Sequence, residues 1–159
     1  MPRFILGFAA ALLLPIQPAK TECLTTLPPS PAFAPPTPYD SVHPSNNMFW
    51  YGTDALWTLL GVDGVWHTKN NVDKHGGYST KLVFWRNGFD WRKEPEPALI
   101  VTARRLDGDS PSVAVAHANA VFVTSNTPAM MTGIRIPAGC WEVTGHYSGH
   151  TLSFIVSVE

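Results

Sequence analysis

Gly145-His146-Tyr147-Ser148-Gly149 is the stretch of this chain that comes nearest to a catalytic motif, and its spacing argues against one. A Gly-x-Ser-x-Gly hydrolase places its nucleophile third, on a strand-to-helix turn. Here the serine stands fourth, between two segments that both alternate like strands. The chain has no His-Glu-x-x-His, no phosphate loop and no dinucleotide fingerprint. Its six histidines, His43, His67, His75, His117, His146 and His150, are scattered, and only the last two flank a single turn. Glu142 shares a strand face with His146, but zinc needs three or four converging groups. His146 and His150 are therefore weak metal candidates, with exposed hairpin histidines as the ordinary alternative. The expectation is a protein with no enzymatic activity, no bound metal and no cofactor.

Aromatic residues are the more suggestive chemistry, with six Trp, four Tyr and eight Phe. Trp57, Trp85 and Trp141 lie within apolar strand patterns and are expected in the core. Trp50, in Phe49-Trp50-Tyr51, and Trp66 sit beside turn residues, and Trp91 stands next to Arg92-Lys93. These three are the candidate binding residues, because exposed rings stack on sugar faces or grip a partner protein. Two functions from different classes follow. The first is a non-catalytic interaction or structural module of the cell envelope, its partner an envelope protein or a glycan. The second is a carbohydrate-binding module using Trp50, Trp66 and Trp91. A metal-assisted hydrolase, needing His146, His150 and a carboxylate to converge, is the weaker third reading. With 11 Lys+Arg against 12 Asp+Glu and no basic run, the composition points away from nucleic acid and anionic membrane surfaces.

Arg3 followed by the uncharged, mostly apolar run Phe4 to Leu14 has the form of a secretory signal. That run is too short to span a bilayer, and no later segment approaches the required length, so no transmembrane segment is expected. Export, to the periplasm or beyond it, places Cys23 and Cys140 in an oxidising compartment. As the only two cysteines they are expected to form a disulfide. Lipid anchoring through Cys23 is disfavoured, because Lys20 and Glu22 stand where a lipobox needs an aliphatic and a small residue.

The elements that must position these groups read as β throughout. Leu27 to Pro44 holds seven prolines in eighteen residues and must be extended, either as a spacer or as a strap. Phe33 and Tyr39 favour the strap. Beyond Asn46 short alternating runs are separated by Gly, Pro, Asn and Asp, the rhythm of an all-β fold. Strands are expected over 54–60, 65–68, 81–86, 98–106, 113–116, 120–124, 129–136, 140–147 and 151–158. Asp63-Gly64 is expected to close a hairpin, with Asn87-Gly88 and Asp107-Gly108 ending the strands before them. The organisation is thus a signal peptide over 1–22, a proline-rich arm over 23–46 and an immunoglobulin-like β-sandwich over 47–159. The last three strands are expected to form an antiparallel meander with Val143 and Phe154 buried and Glu142 exposed.

The tail Ile136-Pro137-Ala138-Gly139-Cys140-Trp141-Glu142-Val143-Thr144-Gly145 through Gly149-His150-Thr151-Leu152-Ser153-Phe154-Ile155-Val156 resembles the closing strands of bacterial immunoglobulin-like domains. Together with Phe49-Trp50-Tyr51-Gly52-Thr53-Asp54-Ala55-Leu56-Trp57 and Arg104-Arg105-Leu106-Asp107-Gly108, it resembles a family of small exported proteins of acidobacteria-like bacteria. The resemblance implies fold and export, and it supplies no catalytic residues.

Overall fold

The computed structural model describes residues 22–41, 43–45, 47–68, 72, 78–108, 113–123 and 127–159. The signal-peptide reading and His75 lie outside the described residues. Among the described residues, ten strands follow a 3-10 turn at Tyr39–Ser41: β1 Met48–Thr53, β2 Leu56–Gly61, β3 Val65–Trp66, β4 Tyr78–Trp85, β5 Ile100–Arg105, β6 Val113–His117, β7 Ala120–Phe122, β8 Ala129–Ile136, β9 Gly139–Tyr147 and β10 His150–Val158. They form two five-stranded sheets packed as a sandwich. Sheet A has the order β1-β2-β4-β8-β7 and sheet B the order β3-β10-β9-β5-β6. Every pairing between the strands is antiparallel except β3 with β10.

Alternation places the core. In β9, Trp141, Val143, Gly145 and Tyr147 turn inward, and in β10 Leu152, Phe154, Val156 and Val158 do the same. They meet Leu56, Leu60, Leu82, Phe84, Met130, Ile134 and Ile136 from sheet A in one continuous core. Glu142 points outward, as its parity requires, where Arg104 on the neighbouring strand holds it at 2.8 Å.

Gly145 is the place where this core depends on a missing side chain. A Cβ there would lie 2.6 Å from the Phe84 ring, which is completely buried and has nowhere to retreat. Gly145→Ala is therefore expected to lower stability by about 1–3 kcal/mol through overpacking, measured by denaturant unfolding. Phe84→Leu in the same chain should recover part of the loss, and full additivity of the two changes would refute the contact.

Three sequence expectations need correction. First, β8 does not join a meander with β9 and β10. It lies in sheet A between β4 and β7, while β9 pairs with β10 and β5 in sheet B. Pro137-Ala138 carries the chain from one sheet to the other, with the Trp141 indole N–H donating to the Pro137 carbonyl at 2.9 Å. Ile136 and Trp141 consequently enter the same core from opposite sides. Second, Asp63-Gly64 is a turn but not a hairpin, because β2 and β3 lie in different sheets and β3 runs parallel to the end of β10. Third, Met48–Thr53 is a strand that the run of aromatic and turn residues concealed. Between β9 and β10 the turn is tight, with Ser148 (φ 48°) and Gly149 (φ 80°) both in the left-handed region that such a hairpin requires.

The proline-rich arm is an ordered strap. Cys23 is bonded to Cys140 on the outer side of β9, with Cα atoms 5.5 Å apart. Three residues later, Thr26 brackets Ile155 at the edge of β10: its amide donates to the Ile155 carbonyl, and its hydroxyl accepts from the Ile155 amide. The arm then reaches the outer face of sheet A, where Tyr39 and Phe33 pack on Trp57 with ring centroids 5.2 and 6.3 Å away. Beneath them Trp50, Trp57, Trp85 and Ala129 form a second apolar cluster, separate from the core between the sheets. Its one polar irregularity is the Trp57 indole N–H, buried without a hydrogen-bond partner among the described residues.

Candidate functional site

The tryptophans chosen from sequence fall into different environments. Trp50 is buried at 7% exposure and meets Trp85 edge-on at 5.1 Å, so the expectation that it is exposed is corrected. The cause is the arm, which converts the outward face of β1 and β2 into an interior. Trp66 is half-buried, stacked on Tyr78 at 5.6 Å and edge-on to Phe154. Trp91 is half-buried against the core with the Arg92 guanidinium over its ring at 4.7 Å. With Trp50 enclosed, no stacking row of Trp50, Trp66 and Trp91 is formed. His146 and His150 also part company. His146 is cross-strand from Thr151 and within 3.3 Å of its hydroxyl, whereas His150 is opposite Tyr147, on the other side of the hairpin. Among the described residues no group of three or more His, Cys, Asp or Glu side chains is placed to hold a metal ion.

What the fold does bring together is an end hollow and an open sheet face. The hollow, about 300 Å³, opens at the β9–β10 turn and is lined by Asp54, Arg86, Asn87, Tyr147, Ser148 and His150. Its floor is a polar clasp. The Tyr147 hydroxyl donates to the Glu94 carboxylate at 2.6 Å and accepts from Arg86 Nε at 3.0 Å. Arg86 also pairs with Glu94 at 3.4 Å and lies over the Phe89 and Tyr147 rings. Burial, and then the hydrogen bond to Glu94, push the Tyr147 phenol above its ordinary value of 10.0, against the opposing pull of Arg86. The clasp therefore ties the β4–β5 loop to the end of β9 and keeps the phenol protonated, a donor and not a base.

A raised phenol value means that Tyr147 stabilises the fold below its unfolded value of 10.0 and loses that contribution as the pH rises through the folded value. Tyr147→Phe is accordingly expected to cost about 1–2 kcal/mol at neutral pH. It should also flatten the alkaline decline in stability of the wild type. Urea titrations at neutral pH and on the alkaline side of 10.0 read both effects, and an unchanged alkaline slope would contradict the assignment.

At the opposite end Asp107 holds a second clasp. Burial works to raise its value, but the Cys140 amide at 2.9 Å and the Arg105 guanidinium at 2.9 Å prevail and hold it below the usual carboxylate range. It borders a broad, open groove that also contains Glu22, Asp63, Glu159 and the disulfide.

The open face is the outer side of sheet B. The registers of β10, β9, β5 and β6 align three cross-strand rows: Thr151–His146–Ile100–His117, Ser153–Thr144–Thr102–Val115, and Ile155–Glu142–Arg104–Val113. The Thr144 and Ser153 hydroxyls are 2.8 Å apart, and Arg104 is bound to Glu142, so the only charges in the rows neutralise each other. Ile100 and Val115 are exposed on this face. Beside it Leu24, Leu106 and Ile155 border an apolar hollow of about 220 Å³ next to the disulfide. Neither the clasps nor the face was found from sequence. The outward parity of Thr102, Arg104, Thr144 and His146 was visible, but only the pairing of β5 with β9 assembles them.

No family model, curated protein or solved structure matches this chain.

Proposed function

We propose that this protein is an exported, non-catalytic interaction module of the cell envelope, an immunoglobulin-like sandwich that engages a protein partner through the outer face of sheet B. The observation that carries this reading is the asymmetry of the two outer faces. The arm covers sheet A with Phe33 and Tyr39, while among the described residues the side chains in the rows of sheet B are exposed or half-exposed. A flat sheet face of threonine, serine, histidine, isoleucine and valine, with its single ion pair satisfied internally, presents little charge to strip of water. Such a face suits a protein surface of similar character. The signal-like run Phe4 to Leu14 and the disulfide support placement outside the cytoplasm. The carbohydrate-binding reading is the less favoured, since Trp50 is packed against Trp85 while Trp66 and Trp91 are half-buried and lie outside the rows of sheet B.

The test compares the wild type with Thr102→Arg/Thr144→Arg, two outward changes that leave both cores intact. Each is presented to envelope proteins from the producing organism and to a glycan array. Binding of a defined envelope protein by the wild type and its loss in the variant are expected. Equal binding by both, or selective retention on polysaccharide, would overturn the reading.

A further inference from the structure

Sheet B is protected at one edge and open at the other. At the β10 edge, β3 pairs with Ser157 and Val158, and Thr26 occupies both backbone groups of Ile155. The other edge is β6, which among the described residues pairs with β5 alone. The amide of Ala118 donates to the Leu99 carbonyl, a bond that flanks the Ile100–His117 pair and marks it as a non-hydrogen-bonded pair of the ladder. By alternation Ala114 and Ala116 direct their backbone groups to β5, while Val113, Val115 and His117 direct theirs away from it. The His117 carbonyl is taken by the Thr132 hydroxyl at 2.6 Å. Among the described residues, no backbone partner meets Val113 or Val115 on the open side.

This edge also lacks the usual protection against pairing. Residues 110–134 contain no Asp, Glu, Lys or Arg, and the strand itself reads Val-Ala-Val-Ala-His. Edge strands are normally blunted by charge, by proline or by a bulge, and an exposed apolar edge without these is a template for another strand. The Val115 side chain is 58% exposed. Toward its Val113 end, β6 borders an open hollow of about 340 Å³ lined by Ala114, Val115 and Ala116 with Gly133 and Ile134 of sheet A, while its far end is held to β8 by the Thr132–His117 hydrogen bond.

We infer that β6 pairs with β6 of a second copy of this chain, antiparallel about a two-fold axis through Val115, joining two B sheets into one ten-stranded sheet. The strand suits its own copy for three reasons. Val115 directs its amide and carbonyl outward, so the two-fold register makes Val115 opposite Val115 a reciprocal hydrogen-bonded pair. The same register sets Val113 against His117, so no like charges oppose one another across the axis. The Val115 side chains meet as an apolar cross-strand pair on the outer face. An isologous contact of this kind closes at two copies and does not propagate. The inference goes beyond the partner-binding face and is read by a different measurement.

The test is sedimentation velocity of the purified protein over about 1 to 200 μM, a range that spans moderate self-affinities. The wild type is expected to move from monomer to dimer. Val115→Pro removes one edge-directed amide while leaving the β5 ladder intact, because proline is tolerated where its missing N–H faces solvent. Val115→Lys sets two ammonium groups against each other at the axis. Each variant should raise the dissociation constant about tenfold or more, a change of ~1.4 kcal/mol. If the proline variant fails to fold, the lysine variant decides. A wild type that is monomeric throughout, a dimer that persists unchanged in Val115→Lys, or a dimer abolished by Thr102→Arg but not by Val115→Lys would overturn the inference. Partner binding is scored separately on Thr102→Arg/Thr144→Arg, so either proposal can fail without the other.

Discussion

Cys23→Ser/Cys140→Ser is expected to lose about 5 kcal/mol of unfolding free energy, the chain-entropy value for a loop of this length. The two cysteines are 117 positions apart, so the bond restrains nearly the whole described chain in its unfolded state. It also fixes the start of the arm. Without it, the near end of the arm is held by the two Thr26–Ile155 hydrogen bonds, and farther along by the packing of Phe33 and Tyr39 on Trp57. Those contacts compete with the freedom of a proline-rich segment, and proline softens the competition because its unfolded state is already restricted. The sandwich should therefore remain folded while its denaturant midpoint falls. Guanidinium unfolding of oxidised wild type, reduced wild type and the double variant measures this, with the last two expected to agree. A shift below ~1 kcal/mol would mean that residual order in the unfolded chain, or the arm's other contacts, already supplies the restraint.

Trp50→Ala is expected to cost about 3–5 kcal/mol, the usual range for emptying the site of a buried large aromatic residue. Trp50 is packed edge-on to Trp85 in a cluster roofed by the arm, so truncation leaves a cavity between a sheet and a strap. Trp91→Ala provides the contrast. Its ring is half-buried in a loop under Arg92, and its removal should change stability by about 1 kcal/mol or less. Thermal unfolding of the two variants separates a packing residue from a surface one. Equal, small effects would mean that the arm does not seal the cluster, and Trp50 would return as a candidate contact for a partner.

Much of the architecture was legible in the residues themselves. Clean alternation in Leu152, Phe154, Val156 and Val158, and in Trp141, Val143 and Tyr147, assigned each side chain to an inner or outer face, and the structure keeps those assignments. Two cysteines and no others left a single intramolecular pairing, which is formed. Asp63-Gly64, Asn87-Gly88 and Asp107-Gly108 marked chain breaks, and all three glycines take positive φ. The candidate site was not legible in the same way, because each of its components comes from strands far apart in the chain.

Sequence by itself determined that this chain is an all-β sandwich, where most of its strands run and which side chains face inward, because a period of two is a local property. Only the tertiary structure decided which strands are neighbours. Alternation gives β8 and β9 the same reading whether they pair or lie in opposite sheets, and the crossing at Pro137-Ala138 separates them. The same holds for Trp50, whose local neighbours Phe49 and Tyr51 gave no sign of a cover. Its burial follows from a proline-rich arm that is anchored by a disulfide to β9 and packed on sheet A. Burial is set by everything that reaches a surface, and here the covering segment and the open rows of sheet B both arise from contacts remote in sequence.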